Sequence, residues 1–208
     1  AARGFSYRAD AAILQESSGF HAMCKKLLGE NVAVLEQTIQ LLDPRQVSRA
    51  VDLLRRSRRV VCMGQGSSMV LSEEAWTLFS TVSPKFLFVP DSHLQMNTLA
   101  LMDPDELVLF FSYSGSTRDF QDLLEVARQR QVKVVLVSRF PKSPGGQLAD
   151  VVLQCGADEG PLQAGSVNAR MAQLFVLDVL FQEFCMRAPE ETEQSREQIA
   201  EAVARKHL

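Results

Sequence analysis

The feature that most constrains this chain is a set of short apolar runs, each followed by a stretch with helical spacing. Val60-Val61-Cys62-Met63 and Leu107-Val108-Leu109-Phe110-Phe111 are apolar at every residue rather than at alternate ones. Residues 132–138 read almost the same way, interrupted by one lysine. Strands that are greasy on both faces belong in a parallel sheet with helices covering both sides. Weaker strand signals stand at residues 85–90 and 150–155, giving five strands in all, at 60–63, 85–90, 106–111, 132–138 and 150–155.

Helical patterns fill the gaps. Leu28, Val32, Leu35, Ile39 and Leu42 recur at steps of three and four, which predicts an amphipathic helix over residues 20–42. Asp43-Pro44 supplies an N-cap and a proline at the first position of the next helix. Further helices are expected through Trp76, from Asp91-Ser92-His93 onward, over Thr117 to Gln131, over Ser166 to Met186, and after Pro189. Right-handed crossovers between five such strands lead most simply to the order 2-1-3-4-5. The expected fold is therefore a three-layer α-β-α sandwich around a five-stranded parallel sheet, with added N- and C-terminal helices. The corresponding division is a tail at 1–20, packing helices at 21–57, a core at 58–188 and a C-terminal helix at 189–208.

Composition narrows the function classes. The chain has 208 residues, 46% of them apolar and 23% charged, which is globular rather than disordered. Its net charge of -3 argues against a nucleic-acid-binding surface. Apolar runs fall short of the roughly 20 residues that a membrane span needs. The four cysteines and three histidines are scattered, so neither a disulfide framework nor a metal site is indicated, and the chain reads as cytoplasmic. It does not begin with Met and is read as a processed chain or a piece of something longer.

In the order 2-1-3-4-5 the first and third strands are neighbours and the chain reverses direction between them. Ligands bind outside the carboxyl ends of strands at such a switch point. The loops there are Gly64-Gln65-Gly66-Ser67-Ser68 and Ser112-Tyr113-Ser114-Gly115-Ser116-Thr117. Ser116 or Thr117 can cap the following helix, a contribution of about 1 kcal/mol. One cap needs one hydroxyl, and here four surround a glycine. That pattern fits an anion held on a helix N-terminus. A dinucleotide loop is the alternative for Gly64-Gln65-Gly66, with Asp91 as the acid that would bind ribose. However, Met69 stands where that fingerprint wants a small residue.

These segments resemble the SIS (sugar isomerase) phosphosugar-binding domains, most closely the effector domain of RpiR-type bacterial transcriptional regulators. The resemblance runs over residues 25–208 and rests on three motifs: Gly64 to Ser68, Asp91-Ser92-His93, and Ser112 to Thr117. The stretch from Ser166 to Phe181 adds to it. One departure is Ser116, where the family usually has Glu or Gln.

The resemblance implies that Ser112, Ser114 and Thr117 hold the phosphate of a sugar, assisted by the backbone around Gly115 and Ser116. It places Ser67 and Ser68 on the sugar, and Asp91 and His93 near the ligand or a subunit contact. No cofactor or metal is implied. In related isomerases a Glu after the fifth strand moves the proton between carbons 1 and 2. Glu159, beside Asp158, is the nearest candidate here, although an Asp-Glu-Gly-Pro loop also reads as a solvated turn. The family's DNA reader normally precedes the sensor, so DNA binding is expected only through a part absent from this chain.

The remaining candidates read more plainly. Arg118 and Arg170 are either phosphate neighbours or exposed first-turn residues. The basic run Arg55 to Arg59, with one serine inside it, suits the negative end of a helix. Trp76 is expected in the core. Asp178, within a very apolar helix, is expected to have a buried partner. That helix and the 28–42 stripe together point to a homodimer or a higher homo-oligomer. The expected function is a non-enzymatic phosphosugar sensor; an aldose-ketose isomerase and a nucleotide-binding protein are the alternatives.

Overall fold

The computed structural model describes residues 17–157 and 167–204. Five parallel strands form one sheet in the order β2-β1-β3-β4-β5, as expected from the sequence. They are β1 (Val60–Gly64), β2 (Phe86–Phe88), β3 (Leu107–Phe111), β4 (Lys133–Ser138) and β5 (Val151–Gln154). The helices are α1 (Ser17–Leu41), α2 (Pro44–Arg56), α3 (Met69–Ser80), α4 (Ser92–Ala100), α5 (Arg118–Gln129), α6 (Pro144–Leu148), α7 (Val167–Met186) and α8 (Pro189–Ala204).

Side chains alternate across the pleat, so each apolar run feeds two cores. Val60, Cys62, Leu107, Leu109 and Phe111 pack with α2, α3 and α7 on one face. Val61, Met63, Val108 and Phe110 pack with α4 and α5 on the other. That is why the central strands carry no polar alternation. Phe79 of α3 stacks on Phe86 at a centroid distance of 4.3 Å and meets Phe181 and Phe184 of α7 edge-on at 5.3 Å each. Truncating a phenylalanine in such a cluster costs about 3–5 kcal/mol.

The amino ends of β1 and β3 are tied by charge. Glu106, buried, pairs with Arg59 at 2.7 Å and with Arg58 at 2.9 Å. Arg58 also reaches Asp103 and Asp105, and Arg55 reaches Glu191. Much of the basic run is therefore neutralised by nearby carboxylates.

Several local expectations need correction. β2 is shorter than the predicted 85–90: Pro90 offers no N–H to a ladder, and Asp91 immediately caps α4. α6 was absent from the sequence reading; it is five residues long, started by Ser143 as N-cap and Pro144. Trp76 is not a core residue: it is 38% exposed and stacks on Phe88 at the sheet edge. Asp178 has no buried partner among the described residues; it is exposed and accepts from Gln182 one helical turn away, at 3.2 Å. The buried polar residue of α7 is Gln173, whose amide donates to the carbonyl of Val137.

α1 is held to the sheet at one well-defined point. Gly156 N donates to Thr38 Oγ1 and Ala157 N donates to Gln37 Oε1, both at 2.9 Å. A side chain on Gly156 would place its Cβ 2.8 Å from both Thr38 Oγ1 and the carbonyl of Val34, so the helix rests directly on glycine backbone. Leu28, Val32 and Ile39, part of the predicted stripe, point outward and are exposed.

Candidate functional site

Gly64, the last residue of β1, pairs in register with Phe111, the last residue of β3. The two loops singled out in the sequence therefore leave the sheet side by side at its carboxyl edge. The β1 loop turns through Gly66, whose φ of 56° is left-handed, into a 3-10 turn over Gly66–Ser68 and then α3. Gly64 must lack a side chain, because a Cβ there would lie 2.7 Å from the carbonyl oxygen of Ser68. Ser67 is exposed and Ser68 half-buried.

The β3 loop closes on itself. Ser112 is buried and its Oγ accepts from Gly115 N at 3.1 Å. Ser114 Oγ accepts from Ser116 N at 3.3 Å, and Ser116 Oγ donates back to the carbonyl of Ser114 at 3.0 Å. A serine oxygen that accepts an N–H still has its own proton to donate. Ser112 and Ser114 thus shape the turn while remaining donors for an anion. Gly115 has a φ of 60°, and a Cβ on it would collide with Ser143 Oγ.

The helix starts are unequal in a telling way. Asp43, Asp91 and Ser143 each accept a backbone N–H at the N-cap of α2, α4 and α6. Ser68 and Thr117, the N-caps of α3 and α5, make no such bond. Thr117 occupies the cap position expected for it, but its hydroxyl does not cap, and the hydroxyl of Ser116 is turned to Ser114. α5 therefore keeps first-turn N–H groups without a side-chain cap, whereas the 3-10 turn ahead of α3 already engages Ser68 N and Met69 N; both helices point the positive end of their dipoles toward the switch point. Two hydroxyls stand beside them.

A second layer, missed in the sequence, supports the loop. Ser138 Oγ donates to the carbonyl of Tyr113 at 3.0 Å, and Arg139 N donates to the same carbonyl, also at 3.0 Å. Tyr113 OH donates to the carbonyl of Ala157 at 2.8 Å, where Arg139 Nε also donates at 2.9 Å. Gly145 N donates to the carbonyl of Gly115 at 2.9 Å. The only local signal for these partners was Ser143-Pro144, a cap followed by a first-turn proline.

Of the other candidates, Asp91 is spent on capping α4, accepting from Leu94 N at 3.0 Å. His93 is exposed in the first turn of that helix, Arg118 is exposed at the first position of α5, and Arg170 is half-buried near the start of α7. Glu159, Asp158 and Ser166 lie outside the described residues. Among the described residues no group of three potential metal ligands converges, and no helix is long and apolar enough to cross a membrane.

The HTH-type transcriptional regulator RpiR of Escherichia coli is 27% identical over 136 residues, covering 65% of this chain and 46% of the relative. The chain spans about half the length of the curated relatives it matches. Among solved structures, the Vibrio vulnificus NanR protein complexed with ManNAc-6P superposes with a TM-score of 0.83 at 23% identity, over 95% of this chain and 72% of that one. A putative sugar-phosphate isomerase from Listeria monocytogenes superposes with a TM-score of 0.78 at 15% identity, over 87% and 96%. The fold is thus shared by regulators and by proteins named as isomerases. The SIS domain model matches residues 53–182, which hold all five strands and both site loops, and the chain belongs to the SIS domain family.

Proposed function

We propose that this chain is the phosphosugar-sensing domain of a bacterial transcriptional regulator of carbohydrate metabolism, acting in the cytoplasm as a homodimer. In this reading the DNA-binding part lies outside the chain. The observation that carries it is the pair of idle N-cap hydroxyls, Ser68 and Thr117, at adjacent strand ends. At the β3 loop a phosphate receives hydroxyl protons and backbone N–H groups, with the dipole of α5 favouring its charge, while the idle hydroxyl of Ser68 stands on the sugar side. Ser112, Ser114 and Thr117 with the backbone of Gly115 and Ser116 take the phosphate, while Ser67, Ser68 and His93 face the sugar. The regulator relatives and the ManNAc-6P held by NanR support this assignment. The exposed stripe Leu28, Val32 and Ile39 on α1 supports the second copy of the chain.

The test is native mass spectrometry of the purified protein for a retained sugar phosphate, followed by thermal shift with a sugar-phosphate panel. A ligand at a hundred times its Kd adds about 2.7 kcal/mol of stability. A melting temperature raised by NAD or ATP and untouched by sugar phosphates rejects the sensor in favour of the nucleotide reading. The isomerase reading draws on the shared fold of the Listeria protein and needs a base such as Glu159. Interconversion of aldose and ketose phosphates by the purified chain decides for it.

A further inference from the structure

The side chain of Gln95 in α4 is fully buried, and both of its amide protons are committed: Nε2 donates to the carbonyl of Gly64 and to that of Val89, each at 2.9 Å. Two carbonyl acceptors leave only one orientation for the amide, with Nε2 toward the strands. Oε1 is then left buried without a partner among the described residues. A polar side chain is an expensive way to fill a core, and one with an idle oxygen more so. Its neighbours Met63 and Leu99, the latter one turn further along α4, belong to an apolar cluster in which a leucine or methionine would pack without that cost.

What the amide does is join three segments. Gly64 is the hinge from which the loop bearing Ser67 and Ser68 departs, and Val89 follows β2 just before the cap of α4. Gln95 itself is two residues beyond His93, within the second turn of α4. At the edge of the sheet the ladder between β1 and β2 ends with Cys62 opposite Phe88, so no strand pairing continues to Gly64 on that side. The amide of Gln95 takes over where the ladder stops.

We infer that Gln95 is a positioning residue that sets the gap between the Ser67–Ser68 loop and the helix turn carrying His93, and thereby selects a phosphorylated sugar over bare phosphate. The inference rests on the phosphosugar reading above. The phosphate end is built by the β3 loop and its own supports, none of which Gln95 touches. The sugar end depends on two segments that this one side chain clamps together. A misplacement of supporting groups loosens a binding site without destroying it.

The experiment compares the full chain with Gln95→Glu, which keeps the shape but lacks the amide protons, and Gln95→Met, which keeps the volume. Calorimetry measures ManNAc-6P, glucose 6-phosphate and fructose 6-phosphate, and competition measures inorganic phosphate. The expected result is roughly tenfold weaker binding of whichever sugar phosphate the wild type takes, about 1.4 kcal/mol, with phosphate affinity changed less than about twofold. Faster hydrogen exchange at Ser67 and Ser68, with the β3 loop unchanged, is expected alongside. Parallel weakening of both ligands, unchanged sugar-phosphate affinity, or loss of the fold in both variants overturns the positioning role and leaves the sensor reading standing. Wild-type protein that binds phosphate but no sugar phosphate overturns both.

Discussion

The hydroxyl of Tyr113 donates to the carbonyl of Ala157 at 2.8 Å, joining the middle of the β3 loop to the chain just beyond β5. Ala157 has a left-handed φ of 75°, unusual for a residue with a Cβ, and its N–H is held by Gln37 of α1. Replacing Tyr113 with Phe removes the bond to Ala157, but Arg139 still donates to that carbonyl. The expected loss is about 0.5–1.5 kcal/mol, read from urea unfolding, because no buried acceptor is orphaned.

Ser114→Ala tests the cradle. A hydrogen bond to a charged group contributes about 1.5–3 kcal/mol, so phosphosugar affinity should fall roughly 10- to 100-fold by calorimetry. Unchanged affinity removes Ser114 from the site.

Gly115→Ala strikes the same loop through its backbone. Its φ of 60° is costly for alanine, and the new methyl would collide with Ser143. A loss of at least about 1–2 kcal/mol is expected from the conformation alone. Circular dichroism melts should show it, together with abolished ligand binding.

The cysteines should separate by burial. Cys62 and Cys185 have thiols pushed up by burial, so less thiolate forms at any given pH, and Cys155 is also buried. Cys24 is exposed on α1. Native protein at about pH 8 should react with a thiol reagent at Cys24 alone, and denatured protein at all four.

The dimer is tested at α1. Ile39→Asp places a charge on the exposed stripe without entering the core. Sedimentation velocity should show the wild type as a dimer and the variant as a monomer of similar thermal stability. A variant that still sediments as a dimer moves the interface elsewhere.

The sheet was legible in the sequence because its strands are apolar on both faces, and that pattern has few interpretations. The site loops were legible because topology alone brings Gly64 and Phe111 together. Angular position on a helix was not. Trp76 sits between buried Ala75 and the buried Phe79 in sequence, yet one step of about 100° turns it off the core face. Asp178 fell among apolar neighbours for the same reason: Leu174, Asp178 and Gln182 form one outward line at steps of four. Ser138 was silent because it is an ordinary strand-end serine until the fold brings it under Tyr113, and Ser143-Pro144 signalled only a helix start, not its place under Gly115.

The junction at Gly156 and Ala157 also bears on how the chain folds. Its contacts reach back to Tyr113, 44 residues away, and to Gln37, 120 residues away. Closing loops of that length comes late, after local helices and neighbouring strands have formed. The β3 loop can acquire its final support only once β5 has joined the sheet and α1 has docked. A nascent or truncated chain that has not reached residue 157 therefore carries every hydroxyl of the site and still lacks the frame that makes them a site.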